Sequence, residues 1–254
     1  MGGLGIVAIY KLCQVTGVGT IAVFKAVKED KKVSPLLAIA IFISSGLTHL
    51  FGGSAGREGA ALQLGGSIAC AFSKPLRLEK ENKNILIMCG MAGVFSSVFG
   101  TPLCAAVFAI EVIGLKYFCS KAIFSTMISS VISYCIGLQL GITPESFNVL
   151  GVPKISIKVL GAVFALAVAV ASVSMLFCYS LRFSEKGFEK YIKNPYIRIV
   201  TGGIIIVALT LVLKTKDYNG AGVQVIEKIF EEGTVRPEAF LLKIVFTAIT
   251  IGAG

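Results

Sequence analysis

The stretch that decides the fold is Gly52-Gly53-Ser54-Ala55-Gly56-Arg57-Glu58-Gly59-Ala60-Ala61-Leu62-Gln63-Leu64-Gly65-Gly66. Its Arg-Glu pair interrupts about forty residues that contain no other Asp, Glu, Lys or Arg. Ionisable side chains at membrane depth are costly and mark functional positions. The flanking glycines allow backbone N–H groups to approach a ligand closely. The apolar run that follows predicts a helix beginning at Glu58, and the N-terminus of such a helix attracts anions.

Glu58 lies at this predicted helix end, where its carboxylate would occupy the position of an anion and leave when it is protonated. One residue would then act as a proton-dependent gate. The alternative is a structural ion pair between Arg57 and Glu58 at an interface between helices.

The composition places the chain in a membrane. Of its 254 residues, 55% are hydrophobic and 15% are charged, whereas an average soluble domain is about 25% charged. This excludes an ordinary soluble enzyme, a disordered chain and a disulfide-stapled secreted module. The net charge of +10 indicates attraction to membrane surfaces and anions, and no nucleic-acid partner is expected. The seven cysteines form no Cys-x-x-Cys pair, so we expect no metal and no cofactor.

Charge-free stretches predict the membrane segments. Four are long enough to span a bilayer, namely residues 33–56, 84–110, 122–144 and 159–181. Three shorter runs, residues 59–73, 199–213 and 244–254, predict half-helices that end inside the protein. Gly-rich breaks precede and follow apolar runs in both halves, at residues 17–19 and 52–56 and again at 220–222 and 252–254. Such an echo is typical of transporters built from inverted repeats.

Two motifs resemble the signatures of the CLC chloride channel and transporter family. One is Gly56-Arg57-Glu58-Gly59 followed by Leu62-Gln63-Leu64-Gly65-Gly66, and the other runs from Ala92 to Leu103 and into Phe108-Ala109-Ile110-Glu111. Gly17-Val18-Gly19 stands where that family has a Gly-Ser-Gly-Ile-Pro loop, and Gly220-Ala221-Gly222 resembles a Gly-rich break in its second half. The resemblance covers nearly the whole chain.

The resemblance implies an all-α membrane protein with the inverted-repeat CLC fold of broken and re-entrant helices, present in part. Residues 1–254 would be one transmembrane domain truncated at both ends, with a first repeat over about 1–182 and the start of a second over 197–254. It implies a multi-pass protein of the cell membrane that transports chloride or fluoride by proton-coupled antiport. The expected partners are the halide, the lipid bilayer and a second copy of the chain, which would contact residues 118–141 and 155–181. The alternatives are a passive chloride channel and a fragment that does not conduct alone.

The resemblance also assigns residues. The gating and proton-carrying glutamate falls on Glu58, and the anion-binding positions fall on Gly17, Val18, Gly19, Gly56, Arg57, Glu58 and Gly59. An inner proton path falls on Glu111 and Val112, although a helix-end carboxylate is the plainer interpretation of Glu111. Val18 stands where the family has an anion-binding serine, and Val112 stands where the chloride exchangers have an inner glutamate. These two departures resemble the fluoride-exporting branch.

An intramembrane enzyme has little support from the sequence. There is no His-Glu-x-x-His motif and no Cys/His metal set. Asp217 and Glu227 fall in polar stretches and form no convincing acid–base pair.

Overall fold

The computed structural model describes residues 2–13, 23–24, 27, 34–144, 154–234 and 236–254. These residues contain no β-strand and form ten α-helices, with one 3-10 turn at Leu115–Tyr117. The helices are α1 Gly2–Leu12, α2 Leu36–Leu50, α3 Glu58–Ser73, α4 Lys80–Phe99, α5 Pro102–Ile113, α6 Ser120–Gln139, α7 Ile157–Tyr191, α8 Pro195–Leu213, α9 Val223–Glu232 and α10 Ala239–Ala253.

Helix length separates spanning helices from short ones. Within the described ranges four helices are long and apolar enough to cross a membrane, and these are α4, α6, α7 and α8. Helices α1, α2, α5 and α10 are apolar but have only 11 to 15 residues. The predicted spans at 122–144 and 159–181 are confirmed by α6 and α7, and the short segment at 59–73 is confirmed by α3. The chain is a multi-pass membrane protein.

Two segment predictions are wrong, and the bounds of a third are corrected. Residues 84–110 form two helices, because Gly100 ends α4 in the left-handed region (φ 67°) and Pro102 starts α5 at its first turn. Residues 33–56 contain only the 15-residue α2 before the chain leaves the helix. Conversely, residues 199–213 are not a half-helix: Asn194 caps α8 with its side chain and Pro195 opens it, so that the helix reaches 19 residues.

The predicted Gly-rich break at residues 252–254 is also corrected. Gly252 and Ala253 belong to α10 and are helical, whereas the residues from 220 to 222 do form a turn in which Gly220 and Gly222 have positive φ. Small residues near the end of α10 therefore serve packing. A Cβ atom on Gly252 would overlap Ser184 of α7, and one on Gly202 of α8 would overlap Ala253.

The chain forms two compact units. One consists of residues 8–46 and 56–146, and the other of residues 1–7, 47–55 and 147–254. Because these units rest on spatial contacts alone, the inverted repeats over 1–182 and 197–254 stay a prediction.

The unit of residues 8–46 and 56–146 is held together by small residues between α3, α4 and α6. A Cβ atom on Gly65 would overlap the carbonyl of Gly90, so the backbones of α3 and α4 touch. Serine hydroxyls join α4 to α6: Ser96 donates to the Ser130 carbonyl at 2.8 Å and Ser97 to the Ser133 carbonyl at 2.9 Å. Close backbones and interhelical hydrogen bonds are the main sources of helix association in lipid.

The second unit is built on α10, which packs against α7 and α8. Its core cluster is small and combines Tyr218 of the loop before α9 with Phe246 of α10, whose ring centroids are 5.6 Å apart. None of the residues of α7 is buried in the structure.

Candidate functional site

The segment between α2 and α3 is non-helical, as the glycines predict. Gly52 has φ +74°, and its N–H donates to the His49 carbonyl at 3.1 Å. The Gly53 N–H donates to the Thr48 carbonyl at 2.8 Å. These bonds end α2, and the chain then runs without helical structure until Glu58. The break in the membrane segment is therefore confirmed.

Helix α3 begins at Glu58, which confirms the predicted start. Arg57 is the N-cap residue (φ −96°, ψ −14°), and its side chain makes no cap hydrogen bond to this turn. The Arg57 carbonyl accepts the first helical bond, from Ala61 N–H at 2.9 Å. The N–H groups of the first turn have no partner inside a helix and carry the positive end of its dipole. This end of α3 therefore has the chemistry of an anion site.

The Glu58 side chain is exposed and folds back over the preceding turn. A Cβ atom placed on Gly56 would overlap Glu58 Oε2, so the carboxylate occupies space that only a glycine leaves free. An exposed glutamate at a helix N-terminus can sit near the unpaired N–H groups when it is charged. It loses that attraction when it is protonated.

Ser54 is hydrogen-bonded through both its backbone and its side chain, and sequence reasoning missed it. It has no exposed surface. Its N–H donates to Thr250 Oγ1 at 3.1 Å, its Oγ shares a hydrogen bond with Thr247 Oγ1 at 3.0 Å, and Lys243 Nζ donates to the same Oγ at 2.8 Å. All three partners belong to α10. A polar residue three positions before the Arg-Glu pair was the available signal, but its partners lie about 190 positions away in the sequence.

The letters Gly52-x-Ser54-x-Gly56 match the nucleophile pattern of serine hydrolases. That pattern requires a strand before the serine and a helix directly after it. Here α2 precedes Ser54, and the serine hydroxyl is buried against Lys243 and Thr247. Ser54 is consequently a structural anchor in this chain.

The other predicted site residues divide into two groups. Gly17, Val18 and Gly19 lie outside the described residues, so their role as anion-binding positions stays a prediction. Glu111 and Val112 are in the last turn of α5, where Glu111 is exposed and Val112 packs against the core cluster of its unit. Their place in a proton path stays a prediction as well.

A second charged group lies outside the membrane helices, at the loop between α8 and α9. Lys228 of α9 donates to both carboxylate oxygens of Asp217 at 2.8 Å. These hydrogen bonds, helped by one from Thr215, hold the pKa of the Asp217 carboxyl below its ordinary value although desolvation opposes the shift. With Arg236 and Thr234, this pair lines a cavity of about 450 Å³.

Comparison with known proteins decides the family. A sequence model of the family described as voltage gated chloride channel matches residues 2–254. The chain belongs to this family. A solved structure, the crystal structure of a CLC-type fluoride/proton antiporter, is similar with a TM-score of 0.89 and 29% identity, covering 99% of this chain and 64% of that chain. The all-α CLC fold and the family expected from the Gly-Arg-Glu-Gly signature are both confirmed.

Two curated CLC relatives are similar in sequence. A chloride/fluoride channel protein of Pseudomonas syringae pv. tomato is 27% identical over 243 residues, which are 93% of this chain and 54% of that protein. The H(+)/Cl(-) exchange transporter ClcA of Vibrio cholerae serotype O1 is 25% identical over 214 residues, which are 78% of this chain and 44% of that protein. The chain spans about half the length of these curated relatives.

Proposed function

We propose that this CLC chain takes part in proton-coupled transport of a halide, with fluoride as the transported ion and Glu58 as the gate. The observation that carries the proposal is the start of α3. A helix N-terminus whose N-cap side chain makes no cap hydrogen bond coincides with an exposed glutamate, and the carboxylate of that glutamate folds back over Gly56. A halide is attracted by the same N–H groups that attract the carboxylate, so the two anions compete for one place.

Proton coupling follows from that competition. A charged Glu58 is held at the helix end by the dipole and excludes the halide. A protonated Glu58 has lost its charge, leaves the helix end and admits the halide. Each exchange of carboxylate for halide then requires a proton, which is the condition for antiport.

Fluoride is proposed for two reasons. The sequence has Val18 and Val112 where the chloride exchangers have a serine and a glutamate. Two of the similar proteins are described as a chloride/fluoride channel protein and a fluoride/proton antiporter. We also propose that the protein acts as a homodimer in the cell membrane, with residues 118–141 and 155–181 in the subunit contact. The apolar α7, which has no buried residue, supplies part of that surface.

The test is transport by the full-length protein in liposomes. Fluoride and chloride efflux are recorded with ion-selective electrodes while the external pH is monitored, for the wild type and for Glu58→Gln. We expect fluoride efflux to drive proton uptake in the wild type, and we expect the coupling to vanish in Glu58→Gln because a neutral amide cannot alternate in charge. Halide efflux without proton movement in the wild type would instead indicate a passive channel. Coupling that persists in Glu58→Gln would exclude Glu58 as the gate.

A further inference from the structure

Lys243 is the only charged residue in the apolar helix α10. It is partly buried. A cation in such a helix requires partners, because burial of an unpaired charge is costly. Its partners are three oxygen atoms: Ser54 Oγ at 2.8 Å, the Tyr218 carbonyl at 3.1 Å and the Gly220 carbonyl at 2.7 Å.

These three contacts use the full capacity of the ammonium group. A lysine ammonium has three N–H donors and no acceptor, and each donor has an oxygen here. Gly222, with φ +86°, makes room for the side chain, since a Cβ atom there would lie 2.9 Å from Lys243 Cε. The contact therefore has the character of a clamp between chain segments rather than that of a free cation awaiting an anion.

The clamp joins three segments that are far apart in the sequence. Lys243 belongs to α10, Tyr218 and Gly220 belong to the loop between α8 and α9, and Ser54 belongs to the segment that leads to Glu58. Thr247 and Thr250 extend the contact along α10. Positions 243, 247 and 250 follow helical spacing of four and three residues, so one polar stripe of α10 is devoted to Ser54.

We propose that Lys243 is a positioning residue for transport, which fixes Ser54 and thereby the backbone from which the Gly56–Glu58 turn departs. This inference rests on the proposed function of Glu58 as the gate. Glu58 is four positions after Ser54, a distance of at most about 14 Å of extended chain. Fixing Ser54 limits the positions that the first turn of α3 can adopt, while the Glu58 side chain stays free to move.

The experiment compares four variants of the full-length protein: Lys243→Met, Lys243→Arg, Ser54→Ala and Lys216→Met. Lys216→Met is the matched control. Lys216 is an exposed lysine in the loop between α8 and α9, and its loss changes the net charge by the same amount as the loss of Lys243. Two readouts are taken. Hydrogen exchange of the peptide containing Gly53 and Ser54 reports the clamp, and the pH profile of fluoride efflux from liposomes reports the gate.

We expect Lys243→Met to increase exchange at the Ser54 amide and to lower efflux by roughly tenfold to a hundredfold, as small misplacements of reacting groups do. Lys243→Arg keeps the charge and the donors, so it should retain most of the wild-type protection from hydrogen exchange and most of the wild-type efflux. Ser54→Ala should show a smaller effect in the same direction, and it tests the clamp even if Lys243→Met does not fold. Lys216→Met should match the wild type.

Three results would overturn the proposal. If Lys243→Met and Ser54→Ala both keep the hydrogen exchange of the wild type, there is no clamp. Increased exchange with unchanged efflux would show that the clamp does not position the gate. Lost efflux with unchanged exchange would show that the charge of Lys243 acts directly on the anion. A wild type that transports no halide would refute the proposed function instead, and the exchange readout would still decide whether Lys243 anchors Ser54.

Discussion

Ser54 and Glu58 lie four residues apart in one motif, yet their surroundings are opposite. Ser54 has no exposed surface, and three side chains of α10 bind it. Glu58 is exposed, and its carboxylate lies over Gly56 at the start of α3. The boundary between the two compact units falls between them, after Ala55.

The difference separates two tasks within a short segment. Buried hydrogen bonds fix a backbone, because each broken bond leaves a polar group without a partner. A gate requires the reverse, a charged side chain that has room to leave its place. Substitutions on the two sides should therefore damage different properties of the protein.

The largest difference is expected when the same substitution is made on both sides. Ser54→Leu should lower the free energy of unfolding by about 3 kcal/mol or more, because leucine has no room and leaves the Thr247 hydroxyl and the Lys243 ammonium without their hydrogen-bond partner. Glu58→Leu should change it by only about 0.5 kcal/mol, since the position is exposed, while proton coupling is lost. Thermal unfolding in detergent and proton flux in liposomes measure the two effects. Equal melting temperatures for Ser54→Leu and the wild type would contradict the role of Ser54 as an anchor.

Gly56→Ala tests the place of the Glu58 carboxylate directly. The new methyl group occupies the position of Oε2, so the carboxylate should be displaced from the helix end. We expect fluoride efflux to depend less on pH and its rate to change by roughly tenfold. Gly46→Ala is the control, because a Cβ atom there meets nothing within 4 Å. A wild-type pH profile in Gly56→Ala would show that the back-folded position has no part in gating.

Two threonines of α10 are expected to contribute unequally to the anchoring of Ser54. Thr250→Val leaves the Ser54 N–H without its acceptor and should destabilise the protein by about 1–3 kcal/mol. Thr247→Val removes one hydroxyl, but Ser54 Oγ keeps Lys243, so the loss should be nearer to about 1 kcal/mol. Melting temperatures of the two variants measured side by side check the order. A reversed order would mean that the hydroxyl contact matters more than the amide contact.

The smallest effect is expected at Asp217, which belongs to the same loop as Tyr218 and Gly220. Asp217→Asn breaks a partly exposed ion pair with Lys228 and should lower the free energy of unfolding by about 0.5 kcal/mol. The hydrogen bonds from Lys228 depress the carboxyl pKa in the folded protein. The stabilisation is thus complete above the unfolded-state pKa of about 4 and is lost as the pH falls through the lower folded-state value.

Melting curves of Asp217→Asn and the wild type should differ at pH 7 and converge in stronger acid. A difference that grows on acidification would contradict the sign of the pKa shift.

Local patterns in the sequence were enough to predict the membrane class and the main features of the segment around Glu58. The lack of charge indicated a membrane chain, the glycines located the break at residues 52–56, and the apolar run after Arg57 located the start of α3. Each of these depends on neighbouring residues, whose properties are visible in order along the chain. The same counting of uncharged residues failed at Gly100–Pro102 and at Pro195, because turn and cap chemistry overrode the length of the apolar run.

Only the tertiary structure revealed the partners of Ser54 and Lys243. Their hydrogen bonds join residues that are 23 to 196 positions apart, and no local pattern specifies which distant oxygen will face a given donor. The sequence by itself therefore determined the family, the helical class and the candidate gate. Which residues hold the backbone of that gate was decided by packing, since a buried cation takes whatever acceptors the folded chain brings within reach.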